Sequence, residues 1–219
     1  MNAMELLSWS RGPGLGIATA VFLFGMLLRL FEIYSLGRKP DLAPARPNSP
    51  GSGWRTMLSR SIPEAPVFRR SAVTLTSGYL FHIGFFIVLL FTVPHITLFE
   101  SVFGIGWPAL PTPVIDLVAV VAIIAMLVSL LHRLLDPVKR FLSGFGDYLA
   151  WSVTFLPLLT GYMAHHHLLP DYTLMLAIHI LSVELLLVLF PFTKLTHMLT
   201  LFIARWYNGE WFGHKGVAS

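Results

Sequence analysis

The sequence predicts an all-α fold: an integral membrane bundle of five transmembrane helices, with the N-terminus outside and the C-terminus in the cytoplasm. Three observations lead there. Hydrophobic residues make up 55% of the 219 residues and charged residues only 12%, about half the charge of a soluble domain. The apolar residues gather into five runs, each able to supply the roughly 20 residues that a bilayer-crossing helix needs. Finally, Lys and Arg fall almost entirely on one side of the predicted bundle. A mean hydropathy of +0.72 excludes an ordinary soluble globule and a disordered chain, and the length fits a single domain over residues 1–219.

The spans are expected at about 14–36, 71–95, 114–132, 148–163 and 172–197. The first carries Arg29 and Glu32 near its end. Its apolar stretch is too long for a cleaved signal, and no small-residue cleavage site follows. The second contains no Asp, Glu, Lys or Arg from Ser71 to Phe99. The third carries Asp116 near its outer start, the fourth contains Pro157, and the fifth starts near Tyr172 and carries Glu184 in its middle. The runs are continuous and do not alternate polar with apolar residues, so helices rather than a barrel follow.

Orientation comes from the loops. Arg38, Lys39, Arg46, Arg55, Arg60, Arg69 and Arg70 lie between the first two runs. Arg133, Lys139 and Arg140 lie between the third and fourth, and Lys194, Arg205 and Lys215 follow the fifth core. The opposite side has only Arg11. Positive charge stays cytoplasmic, which places the chain in the cell's inner membrane with its C-terminus inside. The basic pI reflects this topology and not nucleic-acid binding. Residues 40–66, rich in Pro, Ser, Gly and Arg, read as a cytoplasmic linker. It is either a disordered connector or a docking segment for a partner or anionic lipid.

Cysteine is absent. That excludes Cys-ligated iron–sulfur clusters, covalently attached haem, thiolate zinc sites and Cys nucleophiles. Any redox chemistry falls to histidine and a non-covalent cofactor. Of the nine His, His132 and His214 sit at cytoplasmic ends and read as solvated. His165, His166 and His167 follow the fourth span on the outer side, as an interfacial turn or as a metal or haem site. Three successive helical positions cannot all face one metal.

The remaining four are His82, His95, His179 and His197. The second and fifth spans are antiparallel, so His82 matches His197 in depth near the inner side and His95 matches His179 near the outer side. Two antiparallel helices with paired imidazoles can hold two stacked b-type haems. His179 and His197 are 18 residues apart; on one continuous helix that is five turns, the same face and roughly 27 Å. His82 and His95 are 13 apart and fall on different faces of a regular helix. Pro94 offers a way to turn the end of that helix.

The run His179–His197, HILSVELLLVLFPFTKLTH, resembles the last helix of the gamma subunit of respiratory nitrate reductase. In that family two His 18 apart flank a Phe-Pro-Phe-Ser/Thr-basic-Leu segment, here Phe190 to Leu195. LFHIG at Leu80–Gly84 resembles the family's second helix, and RLLDPVKR at Arg133–Arg140 its basic third loop. The resemblance implies that His82 and His197 bind the inner haem and that His179 binds the outer one. The family's fourth ligand position is Thr92 here, and His95 is the substitute. The family's quinol-associated Lys at the start of the third helix has no counterpart. The likeness extends to cytochrome b subunits of heterodisulfide-reductase-like complexes and of transmembrane redox complexes of sulfate reducers.

The function expected is that of a di-haem b subunit, with two haems and one at minimum. It would link menaquinone or a similar quinone to a cytoplasmic iron–sulfur subunit of a respiratory oxidoreductase complex. Arg205, Lys194 and Arg133 are candidates to pair with haem propionates, or they simply mark topology. Glu184 in mid-span, and Asp116 and Glu100 at the outer face, are candidate quinone or proton groups; the alternatives are a hydrogen-bonded or protonated carboxyl for Glu184 and plain exposed interfacial carboxylates for Asp116 and Glu100. Gly78 and Gly84 flank His82, where small residues admit either a macrocycle or a neighbouring helix. Proton or metal transport is one alternative, although no inverted repeat is evident. A haem-free membrane anchor is another.

Overall fold

In a computed structural model, residues 2–37, 44–46, 52–169 and 171–217 are described. All regular structure among them is helical. The first helix runs from Ala3 to Ser35 as α1 (Ala3–Trp9), a π turn (Ser10–Gly14) and α2 (Leu15–Ser35). The π turn has a local cause. Pro13 has no N–H to offer the carbonyl one turn back, and the helix widens around the missing bond. Then come α3 (Ser52–Ser59), α4 (Ala65–Phe91), α5 (Val93–Phe103), α6 (Thr112–Leu135), α7 (Pro137–Leu142), α8 (Phe145–His165), α9 (Tyr172–Leu189) and α10 (His197–His214).

Four of these elements are long and apolar enough to cross a bilayer: Ala3–Ser35, Ala65–Phe91, Thr112–Leu135 and Tyr172–Phe192. Their outward faces carry large apolar side chains such as Phe24, Ile83, Leu117 and Ile124, each more than half exposed. Such a surface belongs in lipid, and the chain is a membrane protein. The expected fourth span lies within α8, which has 21 residues. Asp147, Trp151, Thr154 and Thr160 make it more polar than the other four. It packs between α6 and α9.

The bundle has two sides. On one, α4 packs closely against α6, with Gly84 set against Val118 and Ala122. On the other, α9 packs against α8, α1 and α2. Contacts between α6 and α8 join the halves, whereas α4 and α9 are not a closely packed pair.

Three expectations need correction. The second span does not continue to His95. α4 ends at Phe91, Thr92 is extended (φ −84°, ψ 133°), and His95 belongs to α5. Pro94 cannot donate to the Leu90 carbonyl, and that carbonyl instead accepts the Trp107 indole N–H at 2.6 Å. The neighbouring Phe91 carbonyl accepts the Leu110 N–H at 3.1 Å. These two carbonyls find new donors outside the helix, which is what a break in an apolar region requires.

Nor is the fifth span one helix to His197. α9 stops at Leu189, and two 3₁₀ turns, Phe190–Phe192 and Lys194–Thr196, precede α10. Pro191 is the cause. Its ring seats against Gly25, where a Cβ would lie 2.6 Å away, and its carbonyl accepts Arg29 Nε–H at 2.9 Å. The five-turn phase between His179 and His197 therefore does not apply.

The third correction concerns the linker at 40–66. Its portion Ser52–Ser59 is the helix α3, docked on α10. Glu210 accepts the Gly53 N–H at 2.8 Å, and Thr56 fills the space beside Gly209. Residues 38–43 and 47–51 of this region, with Arg38 and Lys39, lie outside the described residues.

Candidate functional site

The four histidines His82, His95, His179 and His197 meet in two pairs, each with one ring from α4 or α5 and one from α9 or α10. The ring centres of His82 and His197 are 6.0 Å apart and the rings are nearly perpendicular, at 82°. Those of His95 and His179 are 6.2 Å apart, with the planes within 29° of parallel. These are the pairs that matching depth in antiparallel spans selects. The two proline breaks re-aim the second member of each helix, so the regular-helix phases do not decide the outcome.

Hydrogen bonding sets the tautomers. His82 Nδ1–H donates to the Gly78 carbonyl at 2.7 Å, and His197 Nδ1–H donates to the Lys194 carbonyl at 2.8 Å. His95 Nδ1–H donates to the Val88 carbonyl at 3.2 Å. A carbonyl only accepts, so in these three rings Nδ1 carries the proton. The neutral imidazole then keeps its lone pair on Nε2, the arrangement that metal-binding histidines use. His179 Nδ1 lies 3.2 Å from the Thr160 hydroxyl, which is itself 3.0 Å from Ser182 Oγ. Ser182 donates to the His179 carbonyl at 2.6 Å.

The surroundings differ. His82 and His197 are exposed, and a Cβ added at Gly78 would meet open space. His95 and His179 are half-buried, and a Cβ at Gly161 would lie 2.9 Å from His179 Cε1. Of the two glycines flanking His82, Gly84 serves helix packing, and Gly78 has no neighbour that a Cβ would meet.

The three candidate cations have protein partners. Lys194 Nζ reaches both oxygens of Asp147 at 2.8 Å. Arg133 lies 3.5 Å from Asp147 and donates to Ser143 Oγ at 2.8 Å. Arg205 donates to Ser61 Oγ at 3.0 Å. Lys194 beside it, then the Gly144 N–H, hold the Asp147 carboxyl below the usual carboxylate range. Asp136 is likewise held low, first by the Lys139 N–H and also by the Val138 N–H, because it caps α7. Asp147 was hidden in the sequence by its local role as the acidic residue in the first turn of α8.

Glu184 is 7% exposed, and its Oε1 has no hydrogen-bond partner among the described residues. It faces the π turn, and a Cβ on Gly14 would sit 2.7 Å from that oxygen. Glu100 is exposed on α5 and packs beside Gly106. Asp116 lies near the start of α6, with His166 Nε2 at 3.1 Å. Sequence reasoning missed Thr160, Gly161 and Ser182, whose only signal is that they are small or hydroxylic residues at the level of His179.

No family model matches the chain, and no solved structure matches it. Over 202 residues it is 31% identical to a protein of Nitratidesulfovibrio vulgaris (strain Hildenborough), with 89% of this chain and 88% of the relative covered. The chain belongs to that protein's family. The relative is described simply as "Protein", so membership in this family fixes common ancestry over nearly the whole bundle and carries no activity with it.

Proposed function

We propose that the chain is a five-span membrane cytochrome b of the kind the nitrate reductase gamma resemblance implies. In this reading it is a di-haem b subunit of a respiratory complex in the cytoplasmic membrane. It links the quinone pool, menaquinone or similar, to a cytoplasmic iron–sulfur subunit. One observation carries the reading: two facing imidazole pairs, with centres 6.0 and 6.2 Å apart. A metal bonded to an imidazole nitrogen at about 2.0–2.1 Å on each face puts the ring centres roughly 6 Å apart.

The residues present fit b-type haem. His82 and His197 would hold one group and His95 and His179 the other, all as neutral rings with Nε2 turned to the metal. Haem with an imidazole on each face has a full coordination shell, and it supplies one-electron transfer rather than oxygen binding. The open space at Gly78 and the lack of close packing between α4 and α9 leave room for a flat macrocycle. Backbone carbonyls orient the rings, and the apolar outer faces of the helices exclude water. Arg205, Lys194 and Arg133 are the cations proposed to pair with carboxylate substituents, Lys194 and Arg133 by sharing their charge with Asp147. Glu184, Asp116 and Glu100 are the carboxyl groups available to exchange protons with a quinone. In this reading the iron–sulfur acceptor belongs to a partner subunit, because the chain has no cysteine to ligate a cluster itself.

The test is an absorption spectrum of the purified, dithionite-reduced protein with a pyridine haemochrome count. A b-type α band and two haems per chain are expected. Protein purified without an α band overturns the reading in favour of a haem-free anchor or a transporter. The absence of native cysteine makes the topology equally testable. Single cysteines at exposed Gly146 and Leu169 should react with a membrane-impermeant maleimide from opposite sides, Leu169→Cys from outside.

A further inference from the structure

The end of α8 carries three histidines in a row, and the structure separates their roles. Asp116 Oδ1 lies 3.1 Å from His166 Nε2 and 3.5 Å from His165 Nε2. The ligand atoms of the three residues all fall within 4.8 Å of one another. Adjacent residues on a helix point about 100° apart and do not converge. Here they converge because the helix ends between them. His165 is the last helical residue, and His166 has left the helix (φ −92°, ψ 5°). His167 takes the left-handed conformation at φ 52°.

Leu168 N–H closes back on the Met163 carbonyl at 3.1 Å, and His167 N–H on the Ala164 carbonyl at 3.3 Å. This is the Schellman closure, which usually places glycine where His167 stands. The turn directs His165 and His166 toward α6, their rings 5.1 Å apart and perpendicular at 85°. The Tyr162 ring lies against His166 at 4.4 Å. His167 stacks on Tyr172 at 4.4 Å instead.

We infer that Asp116, His165 and His166 form a binding site for a divalent transition-metal ion, with zinc as the fitting probe. The donor set is two imidazole nitrogens and one carboxylate oxygen, from two different helices. Two His and one carboxylate, with water in the fourth position, is a zinc set; Mg²⁺ and Ca²⁺ prefer all-oxygen shells. The residues are partly exposed, so an ion can enter from the aqueous side. The bound ion would clamp the start of α6 to the end of α8. The site requires neutral rings and an ionised carboxylate, so protons compete with the metal for it. The inference uses none of the four histidines in the facing pairs and stands apart from the haem reading.

The experiment is a zinc chloride titration of the full-length protein, as purified from membranes, by calorimetry and by thermal unfolding. One saturable site is expected, with a rise in melting temperature as zinc is added. Removing even an outer-shell partner of a metal site costs about 10–100-fold in affinity. Asp116→Asn and His166→Ala should each therefore weaken binding by about 100-fold or more. His167→Asn, which tolerates the left-handed turn, should bind as the wild type does. Unchanged ultraviolet circular dichroism in each variant excludes misfolding as the cause. The proposal is overturned if the wild type shows no saturable binding below millimolar zinc. It is also overturned if Asp116→Asn and His166→Ala bind zinc as tightly as the wild type.

Discussion

At one end of the bundle, His82 and His197 are exposed, their rings are crossed, and each is fixed by a carbonyl of its own helical turn. At the other end, His95 and His179 are half-buried and nearly parallel. There His179 sits within a hydroxyl network from Thr160 and Ser182 and has Gly161 beneath it. The spacing is nearly the same and the support is not. A ring tied only to its own turn needs little from its neighbours. A ring held by a second helix depends on residues that no ligand motif contains. By sequence the His95–His179 pair looked the less regular, since its partner position departs from the family pattern. In the fold it is the more enclosed of the two.

The largest expected effect separates the pairs outright. His82→Ala and His197→Ala should each remove the same haem, and His95→Ala and His179→Ala should each remove the other, so that the haemochrome count falls from two to one. Reduced-minus-oxidised spectra identify which species is lost. If His82→Ala and His95→Ala abolish the same species, the pairing is wrong.

The next effect should appear at one pair alone. In Gly161→Ala the new Cβ would lie 2.9 Å from His179 Cε1, and overpacking of this kind costs about 1–3 kcal/mol. The His95–His179 haem should be lost or shifted in potential while the other is unchanged. Redox titration resolves the two. Thr160→Val removes the hydroxyl beside His179 Nδ1 and keeps the volume. Loss of an outer-shell partner should weaken retention of that haem by about tenfold or more, read as haem loss to an apo-protein acceptor.

The smallest effect belongs to the opposite end. Asp147 gathers Lys194 and Arg133 from two other segments. Its carboxyl titrates lower in the folded state than the unfolded value of about 3.9. The stability it contributes is therefore present above that value and is lost as pH falls through the folded one. Asp147→Asn should lower the melting temperature near neutral pH and flatten its decline in acid. Because Lys194 leads into the turn before His197, any spectral change should be confined to the His82–His197 haem.

The sequence by itself determined the membrane class, the apolar helices, the concentration of basic charge in alternate loops and the four histidines in two depth-matched pairs. Each depends on composition or one-dimensional spacing, which burial in lipid reads directly. It did not determine ring direction. Pro94 and Pro191 announce that a helix is interrupted, but where the chain goes next depends on which donors claim the freed carbonyls. Those donors, Trp107 and Arg29, stand 17 and 162 residues from the carbonyls they bond. The same limit hid Asp147 as a shared anion and the convergence of His165 and His166 on Asp116. A regular helix forbids that convergence, and a helix end at this residue permits it. Only the tertiary structure decided these points, because a side chain's direction is set by where its helix stops and by what packs against that stop.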